Sequence, residues 1–173
     1  MSSEKARANS KVESPSPFTE GGKCFDEVQF IFDDKQKLFV SQNFLILASP
    51  VFEAMFKSDL KEKQTMTVHL KGKIYEDFLE FLMCIHPGSK TTVTTSNVLR
   101  IAPIAEEYQV ARVIHKCTKC MKTWLTEKLT TTKGDYIEDR VLSARNCLKI
   151  LKTETFLNYD ELNAHAVQVI ARF

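Results

Sequence analysis

Four large apolar residues stand side by side over Phe44–Leu47, and this run restricts the possible folds more than any other feature of the sequence. Ser41 and Asn43 precede the run, and either side chain can cap the start of a helix. On a helix, four successive side chains point in all directions, so all sides of that helix have to be covered. The sequence leaves two alternatives: neighbouring helices of the same chain cover the remaining sides, or a second polypeptide does.

Alternating apolar positions on both sides of this run predict β-strands. Large apolar residues alternate with other residues over Val28–Phe32, Asp33-Asp34 supplies a turn, and the alternation resumes over Leu38–Val40. These segments predict a β-hairpin. Met66–Leu70 alternates in the same way and predicts a third strand, which Gly72 closes.

Apolar residues recur at helical spacing through most of the remaining chain. Pro50 suits the first turn of a helix, and a helix is predicted there over Val51–Phe56. A second helix is predicted over Ile74–Ile85, where His86-Pro87-Gly88 ends it, and another over Val110–Leu125.

The segment between these last two helices is less regular. Thr91–Thr95 is predicted to be briefly extended, and Ser96 is predicted to cap a helix that reaches Tyr108. Pro103 falls inside that helix, where the missing donor and the ring clash cost about 3 kcal/mol. We therefore expect a kink or a break at Pro103.

Composition bounds the class of protein. The chain has 173 residues, 43 % of them hydrophobic, which suffices for one core with an extension. The 24 basic and 22 acidic residues are scattered and nearly cancel, which argues against a nucleic-acid partner. No apolar run approaches the roughly 20 residues that span a bilayer, and the N-terminus lacks the apolar centre of a secretory signal. We therefore expect an intracellular protein, cytoplasmic or nuclear, with no membrane partner, whose five cysteines are free thiols.

The predicted order of strands and helices is α+β and resembles the BTB (POZ) fold, a small β-sheet packed on a cluster of helices. The stretch Ser49–Phe56, with Leu45 four residues before it, is similar to the most recognisable part of that family. Phe78–Leu82 followed by Ile85–Gly88 resembles the next helix and turn, and Ala105–Val110 resembles part of the last helix pair. The chain departs from the family at Ser41-Gln42, where His-Lys is frequent, and at His86, where the turn often has an aromatic residue.

Three regions are predicted on this basis: a disordered tail over residues 1–22, a BTB domain over 23–125, and a helical extension over 126–173. Within the extension, amphipathic helices are predicted over Ile137–Leu151 and from Tyr159 to Phe173. Asp160–Ile170 resembles the second helix of the three-box, which follows the BTB domain in adaptors with a MATH domain. A MATH domain would precede the BTB domain, and we expect none within the 22 residues there.

The apolar run gives the first predicted site. A homodimer interface built on this helix is what the resemblance also implies, with Phe44, Leu45 and Leu47 as its residues. Phe44 and Leu47 are expected to cross the two-fold axis. Other BTB proteins are possible partners in place of a second copy.

The second predicted site is implied by the resemblance alone. Related proteins bind a cullin scaffold through the helix that ends near Ile85, the turn after it and the start of the next helix pair. The corresponding residues here are Ile85, His86, Pro87, Ser96 and Asn97. That class usually has a hydrophobic-x-acid motif before the next helix, and residues 93–97 contain no acid. Two functions are therefore considered: a dimeric adaptor of a cullin-based ubiquitin ligase, and a BTB scaffold or regulator that takes no part in a ligase.

The sequence gives little support for metal binding or catalysis. Cys117 and Cys120, with His115 nearby, form one Cys-x-x-Cys pair, whereas a structural zinc site needs four ligands. Cys117 falls on the apolar side of its helix and is predicted to be a buried thiol. None of the four histidines lies in a catalytic motif, and only five glycines occur in the chain. We expect no enzyme activity, no metal and no cofactor.

Overall fold

The computed structural model of the protein describes residues 17–57 and 65–130, together with Ala164, Val167, Gln168 and Ala171. Three strands and five helices are formed by the first two ranges. In chain order they are β1 (Glu27–Phe32), β2 (Lys37–Ser41), α1 (Gln42–Ala48), α2 (Pro50–Lys57), β3 (Thr67–Leu70), α3 (Tyr75–Ile85), α4 (Val98–Glu107) and α5 (Ala111–Thr130). The α+β class is thus confirmed.

The three strands form one sheet in the order β2-β1-β3. β1 and β2 are antiparallel, with Phe30 opposite Leu38, which confirms the predicted hairpin. β3 lies parallel to β1 on its other side, with Val68 beside Phe30. Alternate residues of all three strands are buried, because one face of the sheet packs on the helices.

An aromatic cluster joins the sheet to the helices. The ring of Phe30 lies 5.8 Å from that of Phe52 in α2 and 5.3 Å from that of Phe78 in α3. Tyr108, which follows α4, stacks on Phe52 at 4.5 Å. Burial, and to a smaller extent the charge of Glu107, raises the pKa of Tyr108. These rings hold four elements around one core.

Two serines fix the ends of the first helices. Ser41 caps α1 by accepting a hydrogen bond from the backbone N–H of Phe44, as one of the two predicted alternatives had it. Ser49 is buried between α1 and α2, where its hydroxyl oxygen accepts from the backbone N–H of Phe52 at 3.1 Å. The Ser49 hydroxyl also donates to the backbone carbonyl of Tyr108. The junction of the two helices is therefore bonded to the far end of α4.

The predicted cap of α4 is wrong, and so is the alternative of a break at Pro103, whereas the alternative of a kink stays a prediction. Thr91–Thr95 does not join the described sheet, and the side chain of Asn97 hydrogen-bonds to Thr92 and Thr94 in this segment. Asn97 occupies the N-cap position, and the hydroxyl of Ser96 pairs with that of Thr94 instead. Helix α4 also continues through Pro103 without a break. Both neighbours of Pro103 are buried, and packing of this kind offsets the lost hydrogen bond.

Most of the predicted C-terminal extension lies outside the described residues, including the helix over Ile137–Leu151. Within the last predicted helix, the backbone N–H of Ala171 donates to the carbonyl of Val167 at 3.0 Å, which is the spacing of a helical turn. Among the helices that the structure describes, none combines the length and apolar character needed to cross a membrane.

Candidate functional site

Helix α1 presents its apolar residues to very different surroundings. Leu45 is fully buried, whereas Leu47 is 89 % exposed, and Phe44 is half-buried. Residues two apart on an α-helix are separated by about 200° around its axis, so Leu45 and Leu47 face nearly opposite directions. The prediction that Leu45 belongs to a dimer interface is therefore wrong, since its side chain fills the core.

Phe18 covers one side of Phe44. The two rings stack with centroids 6.0 Å apart, and the ring of His86 lies 5.3 Å from Phe18 and 5.9 Å from Phe44. The carbonyl of Phe18 accepts a hydrogen bond from the backbone N–H of Phe39 in β2 at 2.8 Å. Phe18 belongs to the folded domain and not to the predicted tail, which is a correction at the N-terminal boundary.

This contact holds Phe18 in an unusual backbone conformation. Its φ angle is 80°, in the left-handed region that bulky residues rarely adopt. Such a residue costs about 1–3 kcal/mol and persists only where its surroundings fix it. Packing of the ring and the bond to Phe39 supply that constraint. A single phenylalanine in a polar segment was the signal available in the sequence.

A cavity of about 390 Å³ opens beside this aromatic cluster. We call it the Phe18 cavity. Glu20 and Lys23, also part of its lining, form an ion pair at 3.0 Å. Its apolar and aromatic lining residues are Pro17, Phe18, Phe39, Phe44, His86 and Pro87. The structure therefore brings Phe44, predicted for the dimer, together with His86 and Pro87, predicted for the cullin surface.

Asp26 fixes the start of α1 beside this cavity. Its carboxylate accepts the hydroxyl of Ser41 at 2.7 Å and the backbone N–H of Asn43 at 2.9 Å. Desolvation works in the opposite direction, but these hydrogen bonds hold the pKa of Asp26 below its ordinary value. Asp26 therefore ties the segment before β1 to the beginning of the helix that carries Leu47.

The residues predicted to contact a cullin differ in their accessibility. Pro87 and Ser96 are exposed, while Ile85 and His86 are half-buried. Asn97 is 3 % exposed. The prediction that Asn97 contributes to a binding surface is wrong, because its polar atoms are used inside the domain.

Three hydrogen bonds account for Asn97. Its amide nitrogen donates to the carboxylate of Glu80 at 2.8 Å and to the carbonyl of Thr92 at 3.1 Å. Its amide oxygen accepts from the backbone N–H of Thr94 at 2.8 Å. The other carboxylate oxygen of Glu80 accepts from Arg100 at 2.9 Å. Asn97 thus fastens the segment before α4 onto α3.

A second cavity, of about 340 Å³, lies between that segment and α5. Lys116 and Lys119 give it a basic side, with Glu127 also present. Val93 and Trp124 contribute apolar surface. This cavity contains none of the predicted cullin-binding residues.

The cysteines that the structure describes are free thiols. Cys117 is fully buried, as predicted, and burial raises its pKa to about 12. Burial also raises the pKa of Cys84 to about 11 and that of the half-buried Cys120 above its ordinary value. Cys24 is exposed. Over residues 17–57 and 65–130, no group of three or more His, Cys, Asp or Glu is arranged to hold a metal ion.

The described residues form an α+β domain in which a three-stranded sheet packs on five helices. A family model described as BTB/POZ domain matches residues 18–125. The chain therefore belongs to the BTB/POZ family, whose members are generally interaction modules and not enzymes.

Curated relatives agree with this assignment. The chain is 37 % identical over 147 residues to BTB and MATH domain-containing protein 38 of Caenorhabditis elegans, which covers 78 % of the chain and 37 % of that protein. It is 30 % identical to Kelch-like protein 6 of Homo sapiens, over 78 % of the chain and 23 % of that protein. Kelch-like protein 38 of Danio rerio is 28 % identical, over 86 % of the chain and 22 % of that protein. The chain thus spans less than half the length of each of these relatives.

Proposed function

We propose that this chain is a homodimerising adaptor in which the exposed side of α1 forms the contact between two copies. One observation carries the proposal: Leu47 is 89 % exposed on a short helix whose opposite side is buried in the core. Burying a leucine side chain gains about 1.5–3 kcal/mol. In a two-fold dimer the same patch is buried on both copies, so each residue contributes twice.

Leu47→Asp tests the interface. Two lost leucine contacts amount to about 3–6 kcal/mol, and each 1.4 kcal/mol is a tenfold change, so the dissociation constant should rise at least about 100-fold. The side chain is exposed in the single chain, so folding should be preserved. Phe44 is left unchanged because its ring packs on Phe18 and His86.

Sedimentation equilibrium of wild type and variant gives the dissociation constants. Ile74→Asp is the matched control, because Ile74 is also an exposed apolar residue, 61 % exposed, but lies outside the proposed interface. A wild-type chain that stays monomeric at tens of micromolar would reject homodimerisation. An unchanged dimer in Leu47→Asp would place the interface elsewhere.

We further propose that the turn after α3 binds a cullin scaffold, as the family resemblance implies. Accessible positions support this: Pro87 and Ser96 are exposed, and Ile85 keeps part of its side chain at the surface. Such an adaptor would bring a partner of the dimer to a ubiquitin ligase.

The cullin contact is tested with the purified N-terminal domain of the third cullin. A stable complex at micromolar concentration, weakened by Pro87→Asp but not by the Ile74→Asp control, is expected. Absence of binding at that concentration would reject the ligase role and leave the dimer proposal intact.

A second candidate is a BTB scaffold that forms homodimers or heterodimers and takes no part in a ligase. The observation in its favour is the segment before α4, which has no acidic residue over 93–97 and whose Asn97 is committed to internal hydrogen bonds. A dimer that binds another BTB protein and no cullin would support this candidate.

A further inference from the structure

Phe25 is the most exposed large apolar residue that the structure describes, at 98 %. The segment around it is held by hydrogen bonds. The carboxylate of Glu27 accepts the backbone N–H of Gly22, at 3.0 and 2.9 Å to its two oxygens, and that of Lys23 at 3.3 Å. Gly22 has a φ of 80°, a conformation that suits glycine. These bonds close a short loop with Phe25 inside it.

Asp26, the next residue, is tied to Ser41 and Asn43 at the start of α1. The chain is therefore anchored immediately after Phe25 as well as before it. These bonds fix the backbone on both sides of Phe25 at the surface of the domain. In the single chain, the ring of Phe25 stands almost entirely in water.

The Phe18 cavity lies at the base of the same loop. Cys24 and Glu27, on either side of Phe25 in the chain, both belong to its lining. An apolar cavity of roughly 150 Å³ is enough to hold benzene. The Phe18 cavity, at about 390 Å³, exceeds this volume and has room for a benzyl side chain. An exposed ring and a cavity lined in part by aromatic side chains therefore lie next to each other on one surface.

We propose that Phe25 of each copy inserts into the Phe18 cavity of the other copy in the homodimer. This inference rests on the proposed homodimer and adds a second contact to Leu47. A two-fold interface requires a patch that complements itself, and a projecting ring beside a cavity has that property. When one ring enters the partner's cavity near the axis, the symmetry places the second ring in the first cavity.

Charge at the mouth of the cavity agrees with this occupant. Glu20 and Lys23 neutralise each other in an ion pair. The Glu27 carboxylate is bound to backbone N–H groups of its own loop. Two identical mouths therefore meet with one unpaired negative charge on each side, that of Glu27, and its hydrogen bonds to backbone N–H groups reduce the repulsion that this charge would otherwise cause.

Fluorescence tests the occupancy of the cavity. Phe25→Trp is made in a Trp124→Phe background, so that the introduced indole is the chain's single tryptophan. Its emission should shift to shorter wavelength as the protein concentration is raised through the dissociation constant, because the indole leaves water on association. Emission that stays at the wavelength of a solvated indole in the dimer would overturn the inference.

A second variant measures the energetic contribution. Phe25→Ser should raise the dissociation constant by at least about 100-fold, since two buried phenylalanine rings are lost per dimer. Ile74→Ser is the matched control and should leave it unchanged. A dimer that Leu47→Asp weakens but Phe25→Ser does not would overturn the cavity contact alone, whereas a monomeric wild type would overturn both proposals.

Discussion

Replacing Ser49 by alanine should destabilise the domain far more than the loss of one oxygen atom suggests. The Ser49 hydroxyl lies at the junction of α1 and α2 and is buried. It accepts from the backbone N–H of Phe52 and donates to the carbonyl of Tyr108, 59 residues further along the chain. Alanine keeps the backbone and removes both bonds.

The two losses can be added because they affect different groups. Removing a serine N-cap costs about 0.5–2 kcal/mol. Leaving the buried carbonyl of Tyr108 without this donor costs about 1–3 kcal/mol. The free energy of unfolding should therefore fall by about 1.5–5 kcal/mol, out of the 5–15 kcal/mol typical of a domain.

Urea denaturation followed by circular dichroism measures the change in the free energy of unfolding. In a thermal melt, a loss of about 3 kcal/mol corresponds to a fall of about 6–12 °C in Tm. Ser96→Ala is the control, because that hydroxyl is exposed and pairs only with the hydroxyl of Thr94 in the described structure. If Ser49→Ala and Ser96→Ala had equal free energies of unfolding, the two buried bonds would not contribute as reasoned here.

Two further perturbations follow from buried polar groups. Asn97→Ala should lower the free energy of unfolding by about 1–3 kcal/mol. Amide hydrogen exchange at Thr94 should become faster, because the N–H of Thr94 bonds to the Asn97 side chain. Unchanged exchange at Thr94 would contradict this role of Asn97. Burial raises the pKa of Cys84 to about 11 and of Cys117 to about 12. The unfolded chain loses these thiol protons at lower pH than the folded chain. The contribution of these thiols to stability should therefore be constant below about pH 8.5 and fall as the pH rises towards 11–12. Urea titrations should show a smaller fall in a Cys84→Ala/Cys117→Ala variant.

Local pattern was enough to predict most of the elements that surround the site. Alternation over Val28–Phe32 and Leu38–Val40 predicted the hairpin because one face of the sheet is buried and the other is not. Ser41 was one of two residues predicted to cap α1, for the reason that it does so: its hydroxyl lies beside free backbone N–H groups. Cys117 was predicted to be buried from its helical position.

Contacts between distant parts of the chain were not predictable in this way. Periodicity does not specify that β3 pairs with β1 in parallel, because it carries no information on which strands are neighbours. The run Phe44–Leu47 has no polar position to set its rotation, so the buried Leu45 and the exposed Leu47 looked alike. Asn97 looked like a surface residue because the partners that allow its burial lie on α3 and in the preceding segment.

The contact between Phe44 and His86 changes how the two predicted surfaces have to be tested. The dimer surface and the cullin-binding surface were predicted as separate sites. In the structure, the rings of Phe44 and His86 both pack on Phe18 in one cluster. Removing the His86 ring would disturb the packing of Phe44 and the shape of the Phe18 cavity, so weaker cullin binding in such a variant would not assign His86 to the cullin contact. Pro87 lines the same cavity, and Pro87→Asp has to be checked for dimerisation before its effect on cullin binding is interpreted. Ser96 is exposed and is absent from that lining, so it separates the two contacts better.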